Sequence, residues 1–218
     1  MSLQGGKLAG GNPEHGRVDN DFYATDPVAV HKLLMKYSIN GSEILEPCVG
    51  NGNIANAVKE FYTNKLNVTG LDIVDRGYPN TIVHDYLTWN TDKKFDCIIS
   101  NPPYSLAKEF VEKSMELLTD GCDEDGYSKG QLIMFLKIQF LEGVKRKELF
   151  DKYPPKYIYV FRNRMATWNN GEPLDQNGKK WATTMCHAWF VWEKGSTTEP
   201  IVRWLDDTIT DGTNNLWD

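Results

Sequence analysis

The tetrapeptide Asn101-Pro102-Pro103-Tyr104 carries the densest chemistry in this chain. It follows the apolar run 95–100 and precedes a stretch with helical spacing. Pro102 and Pro103 stiffen the turn and withhold amide hydrogens. Carbonyl oxygens there can then accept hydrogen bonds from a ligand. The Asn101 side-chain oxygen can take one hydrogen of an NH2 group, and the Pro102 carbonyl can take the other. Tyr104 offers a flat face to a base or an amide plane. Such a pair suits alkylation of a planar nitrogen. In an adenine amino group or an amide the lone pair is delocalised, and the nitrogen is a poor nucleophile. Two acceptors on its hydrogens favour a pyramidal nitrogen with a localised lone pair. Orientation and electrostatics can then supply most of the rate without a strong base.

A second group of residues suits a nucleoside-like ligand. Leu45-Glu46-Pro47-Cys48-Val49-Gly50-Asn51-Gly52-Asn53 reads as a strand end, a tight turn and a helix start. Gly50 and Gly52 permit a sharp bend and close backbone approach. Amide groups of the following helix suit an anion. Asp72, followed by Ile73, closes the next strand and can accept from both ribose hydroxyls. Asp85, followed by Tyr86, closes a third and can accept from an adenine amino group. Glu46 and Pro47 lie in the first loop, where Glu46 can orient cofactor or backbone. Acids at three successive strand ends suit a nucleoside without phosphate. The chain also lacks the GKS or GKT element of nucleotide triphosphate sites.

These residues need a scaffold, and the hydrophobic pattern supplies one. Thr25-Asp26-Pro27 predicts a helix start, with Gly41 as the following stop. From Glu43 strands and helices alternate. Strands are expected at 43–45, 67–73, 81–83, 95–100, 131–136, 156–161 and 184–192, with helices at 54–62 and 105–118. Alternation of this kind implies a parallel sheet covered on both faces, with ligands at the carboxyl ends of its strands. Residues 1–19 read as a disordered lead, and 196–218 as an acidic strap. Residues 162–181 (RNRMATWNNGEPLDQNGKKW) read as a projecting hairpin loop.

The order Glu-Pro-x-x-Gly-x-Gly, acid, acid, Asn-Pro-Pro-Tyr resembles the amino methyltransferases of DNA. Residues 21–27 (DFYATDP) resemble the N-terminal segment that these enzymes place against the methionine part of S-adenosylmethionine. The runs 135–143 (FLKIQFLEG) and 188–192 (AWFVW) are similar to small adenine-N6 methyltransferases of phages and prophages. The resemblance spans about residues 20–195. It implies a doubly wound, mostly parallel seven-stranded Rossmann-like sheet with an antiparallel final strand. It assigns Tyr23, Thr25, Glu46, Pro47, Gly50, Gly52, Asp72, Ile73, Asp85 and Tyr86 to S-adenosylmethionine. It assigns Asn101, Pro102, Pro103 and Tyr104 to the target base. Cys48-Val49 departs from the family, which often has an aromatic residue beside the proline, and no large target-recognition domain is expected from these 218 residues.

A duplex substrate would need its base flipped out of the stack. Candidate phosphate contacts are Lys137, Lys145, Arg146, Lys147, Arg162, Arg164 and the Lys179-Lys180 pair. Trp168 and Trp181 could stack or wedge. His84, His187, Cys97 and Cys186 read as packing residues.

The bulk numbers set limits. The chain has 218 residues, 40% of them hydrophobic and 25% charged, as expected for one soluble α/β domain. No apolar run approaches a membrane span, and the N-terminus lacks a secretory core. Four scattered cysteines without a CxxC pair suggest neither a zinc site nor a disulfide framework, so no metal is expected and a reducing cytoplasm is the natural compartment. The net charge of −6 runs against a nucleic-acid partner, although local basic patches outweigh the total. Three readings stay open: methyl transfer to adenine in DNA; methyl transfer to an RNA base or a protein glutamine; and an inactive methyltransferase-fold binding module.

Overall fold

The computed structural model describes residues 22–122, 126, 128 and 130–206; the expected lead at 1–19 and the strap from 207 onward lie outside them. A short strand, β1 (Tyr23–Thr25), leads into helix α1 (Pro27–Leu34). Asp26 caps α1 by accepting from the Val28 amide at 2.9 Å, and Pro27 fits the first turn, where no amide is needed. The helix stops at Leu34, well before Gly41. Gly41 instead serves the entry to β2: its φ is +83°, and a Cβ would lie 2.4 Å from the Asp96 side chain. Asp96 Oδ2 needs that space, because it accepts from the Ser42 and Glu43 amides.

The chain then alternates as β2 (Glu43–Glu46), α2 (Asn53–Phe61), β3 (Asn67–Asp72), β4 (Ile82–Val83) and β5 (Cys97–Ser100). A 3-10 turn at Tyr104–Leu106 precedes α3 (Ala107–Leu117), so the expected helix from 105 begins one tight turn late. There follow β6 (Gln131–Lys137), two 3-10 turns over 138–146, α4 (Lys147–Lys152), β7 (Tyr157–Phe161), β8 (Thr167–Asn169), β9 (His187–Glu193) and β10 (Ile201–Leu205).

The main sheet runs β10-β7-β9-β6-β5-β2-β3-β4. All neighbours are parallel except β9, which is antiparallel to both β6 and β7. Seven of these strands are those the pattern predicts; β10 adds an eighth at the edge, parallel to β7, within the stretch read as a strap. β1 and β8 form a separate antiparallel ribbon, Tyr23 opposite Asn169 and Thr25 opposite Thr167.

The strands are apolar on both faces, and the side chains still sort with period two. Leu132, Met134 and Leu136 of β6 pack with Ile98, Phe110, Val111 and Leu149 on one face. Ile133 and Phe135 pack with Val30, Leu33, Ile54 and Val58 on the other. β9 divides likewise, and its indoles keep their donors paired: Trp189 Nε1 donates to the Ala29 carbonyl at 2.9 Å, and Trp192 Nε1 to the Tyr153 carbonyl at 3.0 Å. Helices thus cover both faces, which leaves the carboxyl ends of β2, β3, β5 and β6 open to loops.

Candidate active site

The turn after β2 is built on two left-handed glycines. Gly50 has φ +54° and Gly52 φ +91°. A Cβ on Gly50 would lie 2.6 Å from the Phe22 ring, and one on Gly52 would lie 2.3 Å from the Tyr78 ring. The missing side chains therefore make room for two aromatic rings of the protein, a use distinct from close approach to a ligand. The Gly50 amide donates to Asp72 Oδ2 at 2.8 Å, which joins the ends of β2 and β3. Asp72 Oδ1 accepts from the Val74 amide at 3.1 Å. Each carboxylate oxygen keeps a further lone pair for a ligand hydroxyl.

Glu46 is 1% exposed, and the Ala55 amide in the first turn of α2 favours its ionised form. Burial, reinforced by the neighbouring Asp72 charge, pushes the Glu46 carboxyl well above the usual range. Among the described residues Glu46 Oε2, Thr25 Oγ1 and Asn51 Oδ1 are buried with no hydrogen-bond partner. Buried acceptors are rarely left unpaired, and three around one turn fit a ligand that brings N–H or O–H donors and positive charge. Asp85 is exposed at the end of β4 and caps its own turn through the Leu87 amide at 3.0 Å. Ile73 is exposed beside Asp72, and Pro47 is buried in the turn. Tyr86 points into the core: its ring packs on Phe110 and its hydroxyl pairs with Ser114 Oγ at 2.8 Å.

β1 ties this turn to the tetrapeptide. The Tyr23 carbonyl accepts from Asn101 Nδ2 at 2.9 Å, and the Thr25 carbonyl accepts from Asn53 Nδ2 at 3.0 Å. One three-residue strand therefore holds the end of β5 and the start of α2 together. A carbonyl can only accept, so the Asn101 amide must turn its NH2 end toward Tyr23. Its Oδ1 is then the atom left to accept from a substrate. Pro102 is buried, Pro103 exposed and Tyr104 half-buried, with burial pushing the Tyr104 phenol up.

The Tyr104 ring lies 5.9 Å from His187 and 5.1 Å from Lys137 Nζ. His187 stacks on Phe135 at 4.8 Å and shares its Nδ1 with the Met165 carbonyl at 2.9 Å, so Nδ1 carries the proton of the neutral ring. Burial, followed by the nearby Lys137 charge, lowers its basicity and keeps it neutral. His187 also lines a cleft with Ile138, Arg162, Asn163 and Arg164. The basic residues singled out from sequence have unequal roles. Arg146 turns inward, donating to the Gln139 and Glu142 carbonyls and lying over the Phe140 ring. Lys147 pairs with Asp151, and Arg162 with Asp206. Lys145 and Arg164 are exposed. Trp168 is half-buried in β8 opposite Ala24, and Trp181 donates to the Glu172 carbonyl at 2.6 Å.

Sequence reasoning missed Tyr78, Asn53 and the packing of Gly171 on Asn51. A Cβ on Gly171 would lie 2.6 Å from Asn51 Nδ2, so the 162–181 hairpin abuts the glycine turn. No local signal marks these residues, since each depends on a partner far along the chain.

No family model matches the chain. An alignment 71 positions long covers 29% of this chain and 18% of the type II methyltransferase M.CvrRI of Paramecium bursaria Chlorella virus XZ-6E, at 42% identity. The matched stretch spans about a fifth of the length of the curated relatives. A solved structure from Listeria monocytogenes, assigned to the class I S-adenosylmethionine-dependent methyltransferases, superposes with a TM-score of 0.59 at 16% identity, over 91% of this chain and 70% of its own. The methyltransferase subunit of a type I restriction-modification system from Streptococcus thermophilus also superposes at 0.59 and 16% identity, over 85% of this chain and 47% of its own. At such identities the likeness establishes the fold: the chain has the Rossmann-like methyltransferase fold.

Proposed function

We propose that the protein transfers a methyl group from S-adenosylmethionine to the N6 amino group of adenine in DNA. The observation that supports this reading is the Asn101 amide, whose NH2 end is engaged by the Tyr23 carbonyl, which leaves Oδ1 to accept from a substrate. Unpaired acceptors on Glu46, Thr25 and Asn51 fit an ammonium and hydroxyl-bearing cofactor, and Asp72 fits its ribose. When bound, that cofactor supplies an electrophilic sulfonium methyl. Asn101 Oδ1 and the Pro102 carbonyl would accept the two hydrogens of the target amine, which localises the nitrogen lone pair. Tyr104 would hold the base plane, braced by Lys137 and His187. The preorganised turn pays little reorganisation cost at the moment of transfer. The names of the viral relative and of the restriction-modification neighbour support DNA as the substrate class.

Labelled-methyl transfer from S-adenosylmethionine to unmethylated phage DNA, total RNA and release-factor protein tests the reading. Label is expected in DNA. Label in RNA or protein alone would move the assignment to those substrates. Absence of both transfer and cofactor binding by calorimetry would leave only a binding module.

A further inference from the structure

Among the described large hydrophobic residues Val144 is the most exposed, at 92%. It stands at the tip of the loop between β6 and α4, and the fold holds it there. Gly143 just before it has φ +107°, a conformation open to glycine. Arg146 just after it donates Nη2 to the Gln139 carbonyl at 3.2 Å and to the Glu142 carbonyl. Its guanidinium lies 5.1 Å from the Phe140 ring, and Phe140 is anchored on Phe150 and Phe190. An arginine is thus engaged in bracing a loop whose tip places a valine in water. The root of the same loop borders the candidate site: Lys137 lies over Tyr104, and Ile138 lines the cleft with Arg162, Arg164 and His187. Exposed Lys145 adjoins the tip. Trp168 is built into the β1–β8 ribbon, and Trp181 is tied to the Glu172 carbonyl.

We infer that Val144 is a wedge that enters the base stack of duplex DNA and fills the space left by the extruded target base. The inference rests on the proposed action on DNA. Extruding a paired base costs stacking and pairing energy, and an apolar side chain inserted at the gap offsets part of it. The exposed Lys145 ammonium suits the phosphates beside that gap. A single strand has no stack to fill, so the wedge contributes nothing there.

The test compares methyl transfer to one preparation of unmethylated phage DNA, native and heat-denatured, by the wild-type chain and by Val144→Ser. Val144→Ser is expected to slow transfer to native DNA roughly tenfold while keeping transfer to denatured DNA within about twofold of wild type. The denatured arm also reports an intact fold and site. Equal slowing on both forms, or on neither, overturns the wedge and leaves the DNA reading standing. Wild-type transfer to denatured DNA alone does the same. Wild-type transfer to neither form overturns both.

Discussion

The two halves of the proposed site are built differently. On the cofactor side polar groups are buried or half-buried and several are tied to one another: Gly50 to Asp72, Asn53 to Thr25. On the substrate side the charges lie on exposed loops, and several are engaged with the protein itself, as with Arg146, Lys147 and Arg162. A small charged cofactor that is the same in every cycle rewards a rigid, desolvated cradle, where each hydrogen bond counts for more. The proposed substrate, a long polyanion with variable sequence, would reward exposed cations and a loop tip. Asn101 lies at the seam and is oriented from the cofactor side through β1.

The largest effect should come at that seam. Asn101→Ala is expected to lower the methyl-transfer rate by about a thousandfold, the loss seen when one preorganised electrostatic partner is removed. Cofactor affinity by calorimetry should stay near wild type, which separates the two halves. Gly52→Ala tests the cradle. Its positive φ and the 2.3 Å approach to Tyr78 should cost about 3 kcal/mol, a fall in thermal midpoint of roughly 10 °C. An unchanged midpoint would mean that the turn relaxes freely.

Glu46 gives a pH signature. Burial raises its carboxyl above the usual range, so its contribution to the stability of the free protein is fully present below the pKa of the unfolded chain. That contribution is lost as pH rises through the raised folded value. Glu46→Gln should therefore melt above wild type at about pH 8 without cofactor, the gap closing toward about pH 5. Wild-type affinity for the cationic cofactor should rise over the same window, and the variant should show a flat profile, checked by calorimetry. The smallest effect belongs to the exposed charges. Arg164→Ala should weaken DNA binding a few-fold and reduce the salt slope by about one, with a smaller loss for Arg162→Ala, since Asp206 already neutralises that charge. Equal losses would show that the ion pair opens on binding.

Much of the scaffold was legible because it is local. Asp26-Pro27, the Gly50-Asn51-Gly52 turn and the apolar strands announce themselves within a few residues. The main sheet has eight strands where seven were expected, because β10 is specified by pairing with β7 and its side chains are mostly exposed. The packing partners of the two glycines were hidden for a similar reason: Phe22 and Tyr78 reach them from other segments. Tyr86 carried no signal that separates a cofactor contact from a core residue, and Ser114, its partner, lies on α3. The inward turn of Arg146 depends on carbonyls exposed by a 3-10 turn, which charge patterning does not reveal.

The most direct test is nucleoside analysis of DNA methylated in vitro with labelled S-adenosylmethionine, run with wild type and Asn101→Ala. The account predicts label in N6-methyladenine for wild type and near-background label for the variant. Label on cytosine, or equal label from both proteins, would contradict it.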